Sequence, residues 1–505
     1  MRSILTCKGK AFLIYWGYYD TIWISGGTKM DIQNQNDVMT DVFVYDKVVM
    51  PAPEHQHEWE VYSKQLHVEY RQCIEEGLDM EAYKDVIMAV YNMPNGNDKE
   101  AMADVIYRMV LNAKKKEGYA YVEPSDLDGI KAQRKPYDFA KNEIPGGDAL
   151  KDKIAGAWYG RICGCLLGKP VEGCHTHELV PFLKDTGNYP MTRYIMKSDI
   201  TEEIDSKYKF DFIGKKTYPD VIDCAPVDDD TNYVVLAQLL IKRYGRDFAP
   251  RHMANMWTSS QPKNAYCTAE RVAFRNFVAG YEPPYSAVYK NPYREWIGAQ
   301  IRGDYFGYIN PGNPALAAEM AWRDASISHV KNGIYGEMFV AAMIACAAVT
   351  DNIVDIIRGG LAEIPAKSRL YEGVETILAR YEGGVSKEDA FAYIHSIYDD
   401  KDPHDWCHTI SNALIVVCAL LYGEGDYGRS ICMAVETGFD TDCNGATVGS
   451  ILGMRNGKGG IDEYWTAPTN GILDTNVFGA SKAPIDKMVE RTLLHLPESD
   501  IEEKK

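Results

Sequence analysis

Three consecutive carboxylates, Asp228, Asp229 and Asp230, stand with Thr231 immediately before an apolar run. A second acidic pair, Asp440 and Asp442, flanks Thr441 before another such run. Adjacent carboxylates repel one another, and each is costly to bury unpaired. Two arrangements resolve that cost. One is an exposed acidic helix start, where negative charge suits the helix dipole and Asp230 or Thr231 acts as the cap. The other is a hard cation held by carboxylate oxygens. Acidic groups at the starts of two apolar helices can converge on one point. Five carboxylates gathered there would call for about two divalent ions, in the usual two-metal arrangement with the ions roughly 3.5–4 Å apart.

Neither cluster fits the commoner acidic motifs. The Asp-x-Asp-x-Asp-Gly loop of an EF-hand, with its terminal Glu, is missing. Asp440-Thr441-Asp442 is spelled like a haloacid-dehalogenase phosphatase motif, but it follows a helical stretch ending in Glu436-Thr437-Gly438 rather than a hydrophobic strand. No Gly-x-Gly-x-x-Gly follows a strand and no Gly-Lys-Ser/Thr occurs, so dinucleotide-binding and P-loop units are not expected.

The elements that must position these residues read as helices. Apolar residues recur at three- and four-residue spacing over Trp59–Cys73, Met80–Tyr91 and Lys99–Lys115. Further helices are expected over Thr231–Tyr244, Asn313–Ala325, Gly336–Val349, Lys387–Tyr398 and Ile410–Leu421. Two more share a peculiarity. Lys151–Gly168 carries Gly156, Gly160, Gly164 and Gly168, and Asp442–Met454 carries Gly445, Gly449 and Gly453, always four apart. A glycine inside a helix costs about 1 kcal/mol relative to alanine. At this spacing the glycines form one ridge, where missing side chains let another backbone approach. Both helices are therefore expected in a tightly packed bundle. Strand-like alternation is rare, and the fold class reads as all-α: a compact multi-helix bundle with an N-terminal helical accessory region.

Residues 1–35 read as an N-terminal extension without a fixed fold, 36–145 as a helical accessory domain or lid, and 146–505 as the main domain. Val122–Gly147, with three prolines and a Gly-Gly pair, reads as a linker between the last two. Acids outnumber bases by 72 to 54, a net charge of −18, which argues against stable nucleic-acid binding. The twelve cysteines are scattered with no Cys-x-x-Cys pair, as expected of free thiols in a reducing compartment. Residues 11–16 form an apolar run broken at Gly17 and Asp20. It lacks a small-residue cleavage site and is far shorter than the ~20 residues a membrane helix needs. The chain reads as cytoplasmic and without membrane attachment. Met30 opens a plainer sequence, and residues 1–29 need not belong to the natural protein.

Three blocks, in this order, resemble the ADP-ribosylglycohydrolase family. The first is Gly156-Ala157-Trp158-Tyr159-Gly160, continuing to Gly168-Lys169-Pro170-Val171-Glu172-Gly173; the second is Asp228–Thr231; the third runs from Gly438 through Asp440 and Asp442 to Gly449. The resemblance covers about residues 148–460. It implies an all-helical fold with two magnesium ions (manganese in some members), and a substrate that is an ADP-ribosylated protein or an ADP-ribose-containing small molecule. By position it implies Asp229, Asp230, Asp440 and Asp442 as metal ligands, with Asp228 as an added oxygen ligand. It implies Glu172 as a residue that reaches the metal site or gates the substrate. The stretch Ile297-Gly298-Ala299-Gln300-Ile301-Arg302 matches the loop that holds the diphosphate, which makes Gly298, Gln300 and Arg302 candidate substrate residues. His329 and Asn332, in Ser328-His329-Val330-Lys331-Asn332-Gly333, fall on the substrate side. The chain departs from the family pattern at Asp228 and Cys443, where Thr is common, and at Gly164-Cys165, where Gly-Asp is common. A thiol is a poor ligand for hard magnesium.

The chemistry implied is hydrolysis of a glycosidic bond at ribose, with bound metal lowering the pKa of a water and Glu172, Asp229 or Asp442 taking its proton. The rival readings are a catalytically silent ADP-ribose or nucleotide reader, and a metal-dependent hydrolase of another ribosyl or sugar derivative. Plainer readings remain for single residues: Arg302 paired with Asp304 or another surface acid, His404 and His408 as packing around Trp406, and Cys443 as a small core filler.

Overall fold

The computed structural model describes residues 57–497 and the backbone of 3–7 and 10–14. β1 (Ser3–Cys7) and β2 (Lys10–Ile14) form an antiparallel hairpin in which Ser3 pairs with Ile14. It belongs to a separate unit, Met1–His55. The rest of the extension expected over 1–35, and the first part of the accessory region up to residue 56, lie outside the described residues. Everything else belongs to one compact unit, Gln56–Lys505, which holds both the rest of the expected accessory region and the expected main domain.

The unit is all-α. It opens with α1 (Leu66–Glu75), α2 (Lys84–Tyr91) and α3 (Asn97–Asn112), which close a small core of their own around Leu66, Ile87 and Ile106. Then come α4 (Gly147–Gly168), α5 (Asp229–Tyr244), α6 (Thr268–Val278), α7 (Pro314–Ala325) and α8 (Lys331–Ala347). They are followed by α9 (Arg369–Glu382), α10 (Lys387–Ile397), α11 (Thr409–Tyr422), α12 (Tyr427–Glu436), α13 (Thr441–Asn456) and α14 (Ile485–Leu493). α8 is apolar on every side and buried from Asn332 to Ala347, as a helix at the centre of a bundle must be. A short pair, β3 (Ile472–Leu473) and β4 (Ala483–Pro484), also bonds Ala225, which ties down the chain just before Asp228. Among the described residues no helix is long and apolar enough to cross a membrane.

The two glycine-ridged helices pack directly on each other. α4 and α13 run antiparallel, with Gly156 against Gly453, Gly160 against Gly449 and Gly164 against Gly445. A Cβ on Gly164 would stand 2.0 Å from the carbonyl oxygen of Gly445, and one on Gly168 would stand 2.3 Å from the Thr441 carbonyl carbon. The approach is backbone on backbone, so no side chain could move aside. One consequence is that the C-terminus of α4, which leads to Glu172, abuts the N-terminus of α13, which carries Asp440 and Asp442. Thr441 seals the junction by donating its hydroxyl to the Gly168 carbonyl at 3.0 Å.

The N-terminal helices are joined to the main bundle by buried charge. Arg294 pairs with Glu69 at 2.9 Å and Glu76 at 2.6 Å. Arg369 pairs with Glu123 at 3.0 Å and Glu295 at 2.7 Å, and Gln72 also donates to Glu295, at 2.6 Å. The stretch expected as a linker is laid down in this seam. Glu123 is buried, Tyr335 donates to the Pro124 carbonyl, and a short helix forms over Leu127–Ala132.

Candidate active site

α5 begins at the first acidic cluster. Asp228 is extended and caps the helix, its Oδ1 accepting the Asp230 backbone N–H at 2.9 Å. A cap does form, at Asp228 rather than Asp230 or Thr231, but the exposed helix start expected with it is not found, because Asp228, Asp230 and Thr231 are all buried. The cap does not exclude a cation, because the three carboxyls point in different directions. Asp228 meets the Lys169 ammonium. Burial alone would raise its carboxyl, and Lys169 outweighs that and holds it below the usual range. Asp230 turns inward to Arg161 at 2.8 Å, whose other nitrogens reach Asp304 and the carbonyls of Asp230 and Ile301. Asp229 faces a cavity.

α13 begins at the second cluster after an unusual approach. Gly438 and Phe439 both have left-handed φ values, +75° and +60°. An aromatic residue pays about 1–3 kcal/mol for that conformation and keeps it only when its surroundings hold it. Here Phe439 is fully buried, and Trp406 Nε1 donates to its carbonyl at 2.6 Å. The kink turns Asp440 and Asp442 toward Asp229 and Glu172, and all four line one cavity of about 930 Å³.

These carboxyls are pushed upward. Burial is the main cause for Asp229, Asp230 and Asp442, and the neighbouring carboxyls add to it. Asp440 is raised to about 6 by the same burial. Asp442 Oδ1 is buried with no hydrogen-bond partner among the described residues. Four thiols lie against the acids. Cys443 Sγ is 3.1 Å from Asp230 Oδ2 and Cys407 Sγ is 3.8 Å from Asp440 Oδ2, while Cys267 meets Asp229 and Cys165 meets Asp228. Burial pushes the Cys443 and Cys407 thiols well up, so both are neutral donors. Cys443 is not merely a core filler: with Asp230 and Asp442 it offers three ligand atoms within 4.8 Å of one another, as Asp228, Asp229 and Asp230 do.

The ADP-ribosylglycohydrolase family model matches residues 147–500. The chain belongs to the ADP-ribosylglycohydrolase family. It is also similar to a solved chain of an "ADP-ribosylglycohydrolase-related protein complex", at 15% identity and a TM-score of 0.43, over 69% of this chain and 98% of that one. Among curated proteins none matches.

Within this ADP-ribosylglycohydrolase chain the structure brings Glu172, Asp229, Asp440, Asp442 and Gly298 together around the cavity. Asp228 and Asp230 stand behind them, each on a cation. The other candidates are backing residues and do not line the cavity. Arg302 is fully buried, paired with Glu270 at 2.8 Å, Asp324 at 3.1 Å and Glu337 at 3.4 Å. It does not pair with Asp304, which belongs to Arg161. Asn332 donates to Glu123 and Glu295 in the charged seam. His329 shares a hydrogen with Ser328, and Gln300 is buried beneath α8.

Several lining residues carry no signal in the sequence: Cys267, Glu270, Trp296, Trp406 and Cys407, with Trp59, Lys64, His67 and Lys99 from the N-terminal helices. Glu270 is the most consequential. Burial raises its carboxyl to about 7 against the pull of Arg302, and a Cβ at Gly298 would stand 2.0 Å from Glu270 Oε1, so any side chain there would have to displace the carboxyl from its place beside Arg302. His404 and His408, expected as packing, are buried beside Glu75, at 3.1 and 3.5 Å from its carboxylate. This trio has the composition of a metal site but not the protonation of one. Both Nδ1 atoms accept N–H groups, from Trp296 Nε1 and the Ile410 backbone. With Nδ1 accepting, each ring carries its hydrogen on Nε2; His404 donates it to Glu75 at 3.1 Å, while His408 Nε2 has no hydrogen-bond partner among the described residues. Burial lowers His408 to about 4, so that ring stays neutral.

Proposed function

We propose that this chain is a metal-dependent glycohydrolase that cleaves the bond joining ADP-ribose to a protein side chain or a related acceptor. One observation carries the reading. Four carboxylates, Glu172, Asp229, Asp440 and Asp442, line one cavity of about 930 Å³, and one buried oxygen, Asp442 Oδ1, lacks a partner. That volume lies in the range of roughly 300–1,000 Å³ typical of small-ligand sites.

The donor set fits divalent cations. Asp228 and Asp230 have Lys169 and Arg161 at hydrogen-bond distance, and Lys169 is also 4.0 Å from Glu172, so four acidic groups at the cavity wall share one ammonium, an excess that about two divalent ions would balance. Asp229, Asp440, Asp442 and Glu172 are the residues that would hold them, with Asp230 Oδ2 and Cys443 adjacent. Magnesium or manganese bound there would lower the pKa of a water and fix the ribose hydroxyls. The chain's own residues supply the rest. Glu172, whose side chain is 43% exposed, is the most accessible of the carboxylates and the best placed to take a proton from an attacking water. Asp228 with Lys169, and Asp230 with Arg161, hold the first turn of α5 in place. Trp296 and Trp406 give the cavity apolar walls that limit water.

The test is release of ADP-ribose from substrates modified on arginine, serine or nucleic acid, with and without magnesium. Metal-dependent release from any of them supports the reading. Tight ADP-ribose binding with no release would instead establish a silent reader, and cleavage of plain nucleosides alone would establish a hydrolase of another ribosyl compound.

A further inference from the structure

The family match begins at residue 147, yet much of the cavity wall comes from residues 58–99. That wall has a different chemistry from the acidic one. It sets Lys64, Lys99 and His67 against a single acid among the described residues, Glu58, with Trp59 and Tyr91 lining the same wall. Lys99 is 4% exposed. Its ammonium donates to the Tyr91 carbonyl at 2.7 Å and toward Asn95 Oδ1 at 3.4 Å, both neutral, and it has no carboxylate partner among the described residues. It also lies 5.5 Å from the centre of the Tyr91 ring. The charges that act on it are Glu100 and Lys64, and burial and Lys64 together lower its affinity for its proton.

A substrate anion has few other choices. Among the described residues no arginine lines the cavity, and the lining ammonium groups are those of Lys64, Lys99 and the exposed Lys401. Arg302, at the place expected for a phosphate contact, is spent on three buried carboxylates. An ammonium turned to neutral acceptors keeps its full charge for an incoming anion, and charge-assisted bonds to phosphate oxygen are about twice as strong as neutral ones.

We infer that the N-terminal helices supply an anion subsite, Lys99 with Lys64, that holds the phosphate groups of a nucleoside-diphosphate glycoside while its sugar meets Glu172, Asp229, Asp440 and Asp442. This rests on the cavity being the substrate site, and it deepens the proposed function by placing substrate selection in a segment outside the family match. The subsite selects glycosides that carry a phosphate or diphosphate over neutral ones.

The experiment is calorimetric titration of the full-length chain with inorganic pyrophosphate, ADP and adenosine, in chelator so that no metal bridges the anion. The wild type is expected to bind pyrophosphate and ADP. Lys99→Met with Lys64→Met should weaken both by about 10-fold to 100-fold, a loss of about 1.4–2.8 kcal/mol, and leave adenosine affinity unchanged. Lys99→Arg should restore most of the ADP affinity by keeping the charge. Unchanged ADP affinity in the double variant, a parallel loss for adenosine, or no pyrophosphate binding by the wild type would overturn the subsite. The two readings separate cleanly. Lysine-dependent ADP binding without ADP-ribose release keeps the subsite and removes the proposed reaction. Release with an unchanged KM in the double variant does the reverse.

Discussion

Gly160 and Gly449 meet backbone to backbone: a Cβ on either would stand 2.1 Å from the carbonyl oxygen of the other. Neither carbonyl can retreat, because each belongs to a helix stretch, Ile154–Gly168 and Thr441–Met454, that is buried throughout. Gly449→Ala should therefore destabilise the fold by about 1–3 kcal/mol or more, the usual cost of forcing volume into a packed core. Gly459→Ala is the matched control. Its nearest neighbour beyond the chain is 3.9 Å away, and its effect should stay within about 0.5 kcal/mol. Urea unfolding midpoints of the two variants give the comparison.

Asp229→Asn and Asp442→Asn should abolish glycohydrolase activity and weaken metal binding. Neither side chain carries a packing role that asparagine cannot fill, so far-UV circular dichroism should remain that of the wild type. Full activity in either variant would sink the two-metal assignment. Glu172→Gln should lower kcat by about 10²–10⁴-fold, the usual worth of a positioned acid or base, with metal affinity less affected than in the aspartate variants.

Cys443→Thr should shift metal preference. A thiol favours softer cations, and a hydroxyl favours magnesium. The wild type loaded with cobalt should show near-ultraviolet thiolate-to-metal absorption, and the variant should lose that band while gaining affinity for magnesium. Identical spectra would mean that Cys443 serves only as a hydrogen-bond donor to Asp230.

Glu270→Gln should change how stability responds to pH. The carboxyl titrates near 4.5 in an unfolded chain and near 7 in the folded one, raised by burial against Arg302. Its contribution is thus complete below about pH 4.5 and is lost as pH rises through about 7. Replacing it removes that loss. Relative to wild type, the variant should gain about 2–3 kcal/mol between about pH 5 and pH 7.5, read from denaturant unfolding at the two values. A constant difference would show that Arg302 keeps Glu270 ionised throughout.

The parts of this molecule that were legible in the sequence are those written by local periodicity. Glycines four apart announced a backbone-close helix pair, and the helix expected over Lys151–Gly168 is observed over Gly147–Gly168. The acidic runs announced two helix starts, and Asp229, Asp440 and Asp442 do share a cavity. Partnerships between distant residues were not legible. Nothing near Arg302 in the chain shows that Glu270, Asp324 and Glu337 will surround it, because those pairs form only when α6, α7 and α8 close on one point. Asn332 failed as a substrate candidate for the same reason, since its partners Glu123 and Glu295 arrive from two other segments. The helices from Leu66 to Asn112 read only as an accessory domain or lid, because Lys64 and Lys99 look like ordinary surface lysines until the cavity is seen.

The charged seam of Glu76, Glu123, Arg294, Glu295 and Arg369 makes the body of the molecule depend on its first helices. A chain trimmed to residues 147–500 would keep the Arg369–Glu295 pair but strip Arg294 of both Glu69 and Glu76, leaving a guanidinium shaped for burial with no counter-charge. Breaking a buried pair in this way costs about 3–5 kcal/mol, so excising the segment would weaken the body rather than simply release it.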